Sequence, residues 1–338
     1  MLRFVMSRLL HAAATLAVAV SLVFLAVRVL PGNPLAARFG QHTDEKQIAE
    51  LQEQYGWDRP LVVQLGEFLG KLVRGDLGKS LVRTHVSIRE ELARRIPATA
   101  ELTLAALALA IPIGIGSGVA AAVFHGRWPD RLTTVGSLLG VSVPVFFLGI
   151  LARLYFSQLP TSQRLPTSVF DFEPLTGLYL LDTLLRGRPE LWLLAAQHLL
   201  LPALVLSTIP AALIAKITRA SMLDVLSSDY IRTAQAKGAG LARIVWRHAF
   251  PNAAVPIVNI TGLQVGLLLS GAVLTETVFD WPGLGQYLTT AVVRDRDYMA
   301  VQGGALVVAA IFVSLNLVLD ILYGLLDPRI HHAQRGRG

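Results

Sequence analysis

The sequence predicts an all-α integral membrane protein with six transmembrane helices, and three observations carry that prediction. Charged residues make up only 16% of the 338 residues and hydrophobic ones 53%, whereas soluble domains carry about 25% charged residues. The apolar residues also fall in blocks, with uncharged runs over 9–27, 102–124, 132–152, 191–215, 248–275 and 298–319. Each run is close to the ~20 residues that cross a hydrocarbon core of about 30 Å. Finally, the runs lack the polar stripe at every third or fourth residue that a helix of a large soluble core would show. In lipid a helix satisfies all its backbone groups within one segment, so each run reads as a helix.

The distribution of charge orients these spans. With the N-terminus inside, the cytoplasmic segments carry thirteen Lys/Arg against four Asp/Glu, while the shorter outside loops 157–190 and 276–297 carry five against eight. That is the positive-inside bias. The long outside segment 31–98 holds ten Lys/Arg, which is compatible because long loops translocate largely regardless of charge. Topology thus accounts for the net charge of +7, and no nucleic-acid partner is expected. The chain has no cysteine, so neither disulfides nor thiol chemistry are available.

Span 1 covers about 8–30 and ends at Leu30-Pro31-Gly32. Arg3 and Arg8 before an apolar run resemble a signal peptide. The run is long for such a segment and no clear small-x-small site follows, so an uncleaved helix is expected. Segment 31–98 reads as an extracytoplasmic helical cap. A helix start lies at Thr43-Asp44-Glu45-Lys46, with a capping residue before an acidic first turn. Turn signals follow at Gly56-Trp57-Asp58-Arg59-Pro60 and Gly75-Asp76-Leu77-Gly78, then an interfacial amphipathic helix over Ile88–Ile96. The core is expected over 99–326, with span 2 at 99–123, an inside loop Phe124–Asp130, span 3 at 131–157 and an outside loop at 158–190 without a packed-domain pattern. Span 4 (191–216) leads into an inside segment, 217–252, followed by span 5 (253–276), span 6 (300–326) and a cytoplasmic tail, 327–338.

Gly114/Gly118, Gly136/Gly140 and Gly262/Gly266 are small-xxx-small pairs, which let helices approach closely in lipid. Prolines 112, 144, 202, 210 and 256 fall within spans 2 to 5. Each removes a backbone hydrogen bond and favours a kink, which suits a path that opens and closes and equally suits irregular packing.

Catalytic signatures are absent: there is no H-E-x-x-H, no G-x-S-x-G and no histidine spacing for a metal. Gly78-Lys79-Ser80 lacks the glycine that a phosphate-binding loop needs five residues before its Gly-Lys, since position 73 is Val. No metal or cofactor is expected on this chain. Ser142, Asn259, Gln264, Ser270 and Asn316 are polar residues within spans, which seldom face lipid. They are candidates for a translocation path or for interhelical hydrogen bonds. Glu276 and Asp320, near span ends, are expected to pair with protein groups or reach the interface, and His198 to be a satisfied structural histidine.

The inside segment is the informative one. It keeps a helical pattern, carries basic residues at 232, 237, 243 and 247, and breaks at Gly238 and Pro251. Ala234, Ala236, Gly238 and Ala239 give it a slim surface, and Gly238 can end a helix in the left-handed conformation. By physics alone it is either a docking helix for a soluble partner or a basic loop that satisfies the positive-inside bias.

The segment is similar to the EAA loop of ABC importer permeases, E-A-A-x-x-x-G-x9-I-x-L-P. Arg232, Thr233 and Ala234 take the E-A-A places, Gly238 the glycine, His248 the isoleucine, Phe250 the leucine and Pro251 the proline. Ala234, Gly238 and Pro251 match, while Arg232 and Thr233 depart. The run from Asp229-Tyr230-Ile231 to Ala236-Lys237-Gly238 resembles the form in the dipeptide/oligopeptide (peptide/nickel) subfamily. Further stretches agree, among them Leu30-Pro31-Gly32-Asn33-Pro34, Gly75-Asp76-Leu77-Gly78-Lys79-Ser80, Arg95-Ile96-Pro97-Ala98-Thr99-Ala100-Glu101-Leu102, Val143-Pro144-Val145-Phe146-Phe147, Leu274 through Gly285, and Leu326-Asp327-Pro328-Arg329.

The resemblance implies the first of two paired inner-membrane permease subunits, with both termini cytoplasmic. Its partners would be a second homologous permease, two ATPase subunits that hold ATP and Mg, and an extracytoplasmic substrate-binding protein. Tyr230, Arg232, Thr233, Ala234, Ala236, Lys237, Gly238, Ala239 and Pro251 would couple to the ATPase. Asp280, Trp281, Gly283 and Arg294 would meet the binding protein. Dipeptides or oligopeptides are the implied substrates, with nickel or glutathione as alternatives on the same architecture. An ion-coupled secondary transporter would need an acid well inside the spans, and none stands there. An intramembrane enzyme would need a nucleophile–base or metal constellation.

Overall fold

The computed structural model describes residues 2–29, 52–53, 56–83, 86–169 and 171–326, with side chains at 2–4, 29, 269–271 and 322–326 left aside. Among the described residues the regular elements are helices, with one isolated antiparallel bridge between Lys79 and Ser87. The chain divides into two compact units, residues 1–97 with 283–338, and residues 98–282.

In the first unit, helix α1 (Leu2–Val29) runs beside the last helix, Tyr298–Leu326. Both are almost wholly apolar, and Arg8 pairs with Asp320 at 3.1 Å, as expected of an acid near a span end. Helix α2 (Leu61–Val73) follows the turn at Gly56, whose φ of +66° favours glycine. Gly75 and Gly78 also have positive φ, so both expected turn signals are turns. Ser80 donates to the buried carboxylate of Asp297. Asp297 also accepts from the Ala300 amide at 3.0 Å, thereby capping the last helix. The side chain of Ser80 is thus committed to a structural bond. The expected helix start at Thr43, the Leu30–Pro34 stretch and the tail 327–338 lie outside the described residues.

The second unit contains most of helix α3 (Ile88–Val123), then α4 (Trp128–Ser142), α5 (Val145–Tyr155), α6 (Tyr179–Leu185), α7 (Pro189–Leu226), α8 (Asp229–Ala236), α9 (Leu241–Arg243) and α10 (Phe250–Val278). Leu102, Ala106, Leu199, Leu206, Leu268 and Trp281 form its buried centre. The Gly114/Gly118 pair lies against α7. A Cβ on Gly114 would stand 2.8 Å from Ile214 Cβ, and one on Gly118 would stand 2.6 Å from the Ala215 carbonyl oxygen. Gly140 approaches Ala212, whereas Gly136 faces open space, so only one member of that pair acts at a contact.

Among the described residues four helices are long and apolar enough to cross a membrane, Val5–Arg28, Ile88–Val123, Pro189–Leu226 and Tyr298–Ile321, and up to six spans result if each of two bent pairs counts as one. The expected layout changes in three places. Span 3 is not one straight helix: α4 and α5 meet at 103° around Val143–Pro144. Proline disfavours the helical region for its predecessor, and Val143 is extended at φ −85°, ψ 124°. The expected interfacial helix at Ile88–Ile96 is instead the first part of α3, which passes through Pro97 without a break. Span 4 runs on to Leu226, ten residues past the expected end, and holds Pro202 and Pro210 inside it. Of the five span prolines, then, Pro144 alone separates two helices.

Helices α11 (Leu284–Thr289) and α12 (Tyr298–Leu326) return to the first unit, joined by a π-helical stretch, Thr290–Asp295. Gly303 and Gly304 let α12 approach closely: a Cβ there would stand 2.7 Å from Ile88 Cγ2 and 2.6 Å from Leu288 Cδ2.

The loop 158–190, expected to lack a packed pattern, is packed. Arg164 and Glu101, 6% and 7% exposed at their side chains, form an ion pair. Arg164 also donates to the Gly177 carbonyl at 2.7 Å and stacks 3.7 Å from the Tyr179 ring centroid. Glu101 further accepts from the Leu180 amide at 2.7 Å. Asp182, fully buried, accepts from the Thr176 and Gly177 amides at 3.0 and 2.9 Å and caps the turn before α6. His198 holds the Ser162 carbonyl at 2.9 Å, in the structural role expected. Glu101→Ala should destabilise the protein by about 3–5 kcal/mol, because it leaves Arg164 buried without a counter-charge. Glu101→Gln should cost less. Thermal unfolding of the two variants in detergent would check this, and equal, small losses would contradict it.

Candidate functional site

The segment Ser227–Asn252 forms a small platform on the second unit. Its first element, α8, begins after Ser228, an extended residue at φ −73°, ψ 149°. It ends as the sequence suggests. Gly238 is left-handed at φ +81°. The Gly238 amide donates to the Gln235 carbonyl at 2.9 Å and the Ala239 amide to the Ala234 carbonyl at 3.1 Å. This is the paired 5→2 and 6→1 pattern of a Schellman end.

One residue anchors α8. Ile231 is fully buried and packs with Val119, Ala122, Met222, Ile244, Val245, Ala249, Ala253 and Ile257. The other face is open: Arg232, Thr233, Gln235, Ala236, Lys237 and Gly238 are exposed, Tyr230 is 44% exposed, and Ala234 and Ala239 are intermediate. Tyr230 Oη reaches the His248 carbonyl at 3.4 Å, which Asn252 also caps at 2.7 Å. Six of the nine expected coupling residues, Tyr230, Arg232, Thr233, Ala236, Lys237 and Gly238, are therefore exposed on α8 and its end, with Ala234 and Ala239 half-buried among them and Pro251 exposed apart from them.

Pro251 is exposed and stands in the first turn of α10, but the chain does not break there as expected. The chain is helical from Leu241 onward, and Ile244–Ala249 takes the wider π form just before the proline. A proline inside an α ladder clashes with the carbonyl four residues earlier. A π turn shifts the bonding register by one residue, so the helix passes the proline instead of ending there.

A charged cluster that the sequence did not reveal ties the start of α4 to α7 in the second unit. Asp130 is 5% exposed. Both of its oxygens accept from Arg219, the second at 3.0 Å, and Oδ2 also meets His125 Nδ1 and the Gly126 amide, each at 2.9 Å. The Arg219 hydrogen bond, then that of Gly126, holds the Asp130 carboxyl well below the usual carboxylate range, with burial acting in the opposite sense. A carboxylate depressed in the folded state contributes stability that is complete above its unfolded pKa and is lost only as pH falls through the folded value. Asp130→Asn should therefore lower the melting temperature at pH 7 and at pH 5 alike, with wild type and variant converging only in stronger acid. Melting curves across pH 3–7 would check it, and a difference that vanishes between pH 7 and 5 would contradict it. In the sequence Asp130 was one acid among the basic residues of a loop, and its partner lies 89 residues away.

The other candidates scatter. Ser142 lines a cavity of about 320 Å3 with Thr133, Lys216 and Arg219. Gln264 is 2% exposed with its Nε2 unpaired among the described residues, Asn259 is exposed, and Asn316 is intermediate on α12 of the first unit. The side chain of Ser270 lies outside the described residues. Glu276 is fully buried and accepts from Thr99 at 2.6 Å, as expected of an acid near a span end.

Of the four residues expected to meet a binding protein, Asp280 and Arg294 are exposed. Trp281 and Gly283 are not available: Trp281 is 1% exposed and donates from Nε1 to the Ala98 carbonyl at 2.8 Å, and Gly283 is buried before α11. The Trp281 ring instead closes the apolar core of the second unit. Among the described residues no group of acids and histidines could hold a metal.

Two family models cover the chain. Residues 110–332 match the binding-protein-dependent transport system inner membrane component, and residues 1–103 match the N-terminal region of the membrane component of such systems. The chain is similar to the di/tripeptide transport system permease protein of Pseudomonas aeruginosa, at 45% identity over 92% of this chain and 93% of that one. It is 41% identical to the dipeptide transport system permease protein of Escherichia coli, over 98% and 99%. It is 38% identical to the glutathione transport system permease protein of Salmonella paratyphi A, over 98% and 100%.

Proposed function

The chain belongs to the family of binding-protein-dependent transport system inner membrane components, and we propose on that premise that it carries dipeptides and short oligopeptides across the inner membrane as one permease of an ATP-driven importer. The observation that carries this reading is identity of 41–45% along nearly the whole chain to permeases named for dipeptides and di/tripeptides. As a member of that family the chain is a transport component and not an enzyme. ATP and Mg belong on two separate ATPase subunits, a second homologous permease completes the membrane part, and an extracytoplasmic binding protein delivers the substrate. Both termini, with residues 217–252, face the cytoplasm, and residues 31–98 lie outside.

In this reading α8 is the coupling helix. Its exposed, slim surface seats in a groove of the ATPase, and Ile231 transmits the movement into the second unit. The positive charge of Arg232, Lys237, Arg243 and Arg247 suits acidic headgroups or an acidic partner surface. Closure of the ATPases on ATP then biases the permease pair between inward- and outward-open states. Ser142, Asn259, Gln264, Ser270 and Asn316 are proposed for the path, and Asp280 and Arg294 for contact with the binding protein.

The test is uptake. The transporter, co-expressed with its genomic neighbours and reconstituted in vesicles, should accumulate a radiolabelled dipeptide only with ATP on the ATPase side and binding protein on the other. Accumulation of glutathione or nickel with no dipeptide uptake would move the substrate and keep the architecture. ATP-independent uptake driven by an ion gradient would overturn the mechanism.

A further inference from the structure

Arg28 is a part-buried cation whose hydrogen-bond partners are all neutral. Its Nε donates to Gln64 Oε1 at 2.9 Å, and one Nη donates at 3.4 Å to both the Phe24 carbonyl and Gln302 Oε1. The guanidinium lies 3.7 Å from the Phe24 ring centroid and 5.6 Å from that of Trp57. Among the described residues no carboxylate pairs with it and its second Nη makes no hydrogen bond. A guanidinium withdrawn from water is costly unless a counter-charge accompanies it.

The space beside it is a cavity of about 100 Å3 within the first unit. Lys71 and Lys79 also line it, and neither has an ion pair among the described residues. Of the two acids on its wall, Glu67 pairs with Arg59, while Asp76 accepts from the Gly78 amide at 2.9 Å and keeps its charge, so that the lining is still net positive. The same wall presents Gln302, which is 2% exposed and whose Nε2 has no hydrogen-bond partner among the described residues. A buried amide donor without an acceptor is itself unfavourable. Three cations and an orphan donor, with one fork of an arginine open, match one chemistry, a small oxyanion.

We propose that this cavity binds a single phosphate or carboxylate group, held by Arg28 and Gln302 with Lys71 and Lys79 at its mouth. The group comes either from an anionic lipid headgroup or from a free anion. The site does not depend on what the protein transports, so the uptake experiment and the following one fail separately.

The full-length protein in phosphatidylcholine nanodiscs would be titrated calorimetrically with inorganic phosphate, and the titration repeated in discs containing phosphatidylglycerol. Saturable binding of one phosphate per chain is expected, at least tenfold weaker in Arg28→Gln. The exposed pair Lys71→Gln/Lys79→Gln should weaken it several-fold without touching the packed part of the site, which keeps the test decisive if Arg28→Gln does not fold. Phosphate binding that disappears in phosphatidylglycerol discs, with one such lipid retained per chain in native mass spectrometry and lost in the variants, assigns a lipid headgroup. Phosphate binding indifferent to phosphatidylglycerol assigns a free anion. Neither saturable phosphate binding nor a retained lipid, or binding equal in wild type and variants, overturns the proposal.

Discussion

Gly118→Leu should give no recoverable folded protein, whereas Gly116→Leu, two residues away on the same helix, should be recovered at the wild-type level. A Cβ on Gly118 would stand 2.6 Å from the Ala215 carbonyl oxygen and 2.6 Å from Thr218 Cβ, whereas one on Gly116 would meet nothing within 4 Å. The Ala215 oxygen belongs to the backbone of α7 and cannot rotate away. The two helices would have to separate, and the loss spreads along the contact that also includes Gly114. Overpacking costs about 1–3 kcal/mol even where side chains can adjust; here the cost should exceed that range, against a total stability of about 5–15 kcal/mol for ordinary domains. Fluorescence-detected size exclusion of the two variants makes the comparison, since both substitutions change the chain's apolar content equally. Similar monodisperse peaks would show that α3 and α7 do not meet through this face.

The second large effect is expected on α8. Ala236→Arg should leave yield and melting temperature unchanged, because Ala236 is exposed and outside the buried cluster around Ile231. It should nonetheless reduce ATPase co-purification and dipeptide uptake more than tenfold, equivalent to about 1.4 kcal/mol or more of lost association. A long side chain on a slim surface holds a partner away without disturbing the helix beneath. Wild-type co-purification in this variant would mean that the ATPase does not contact α8.

Composition and block pattern made the fold class legible because lipid permits few solutions: an apolar run of about twenty residues has to be helical. The glycine end of α8 was legible for a similar reason, since a left-handed residue after a short helix is a backbone requirement that names its own residue type. Other features have no local signature. The Glu101–Arg164 pair joins residues 63 apart and the Asp130–Arg219 pair residues 89 apart. In the sequence each residue was one more charge near a loop. Proline was an unreliable marker. Pro144 turns the chain sharply, Pro251 follows a π turn in a continuous helix, and Pro202 and Pro210 sit within one helix. A proline states which hydrogen bond is missing but not how neighbouring groups absorb the loss. Trp281 misled in the opposite sense, since its short loop hid that the ring belongs to the core.

The length of α7 has a mechanical consequence. Its 38 residues amount to about 57 Å at ~1.5 Å per residue, nearly twice the thickness of a hydrocarbon core of about 30 Å. A rod of that length is a lever arm: a tilt of 10° about its Pro189 end carries its Leu226 end through about 10 Å. The cluster holding Ile231 is built on that far end, through Met222. Small angular changes at one membrane face are thereby geared into displacements of side-chain size at the other.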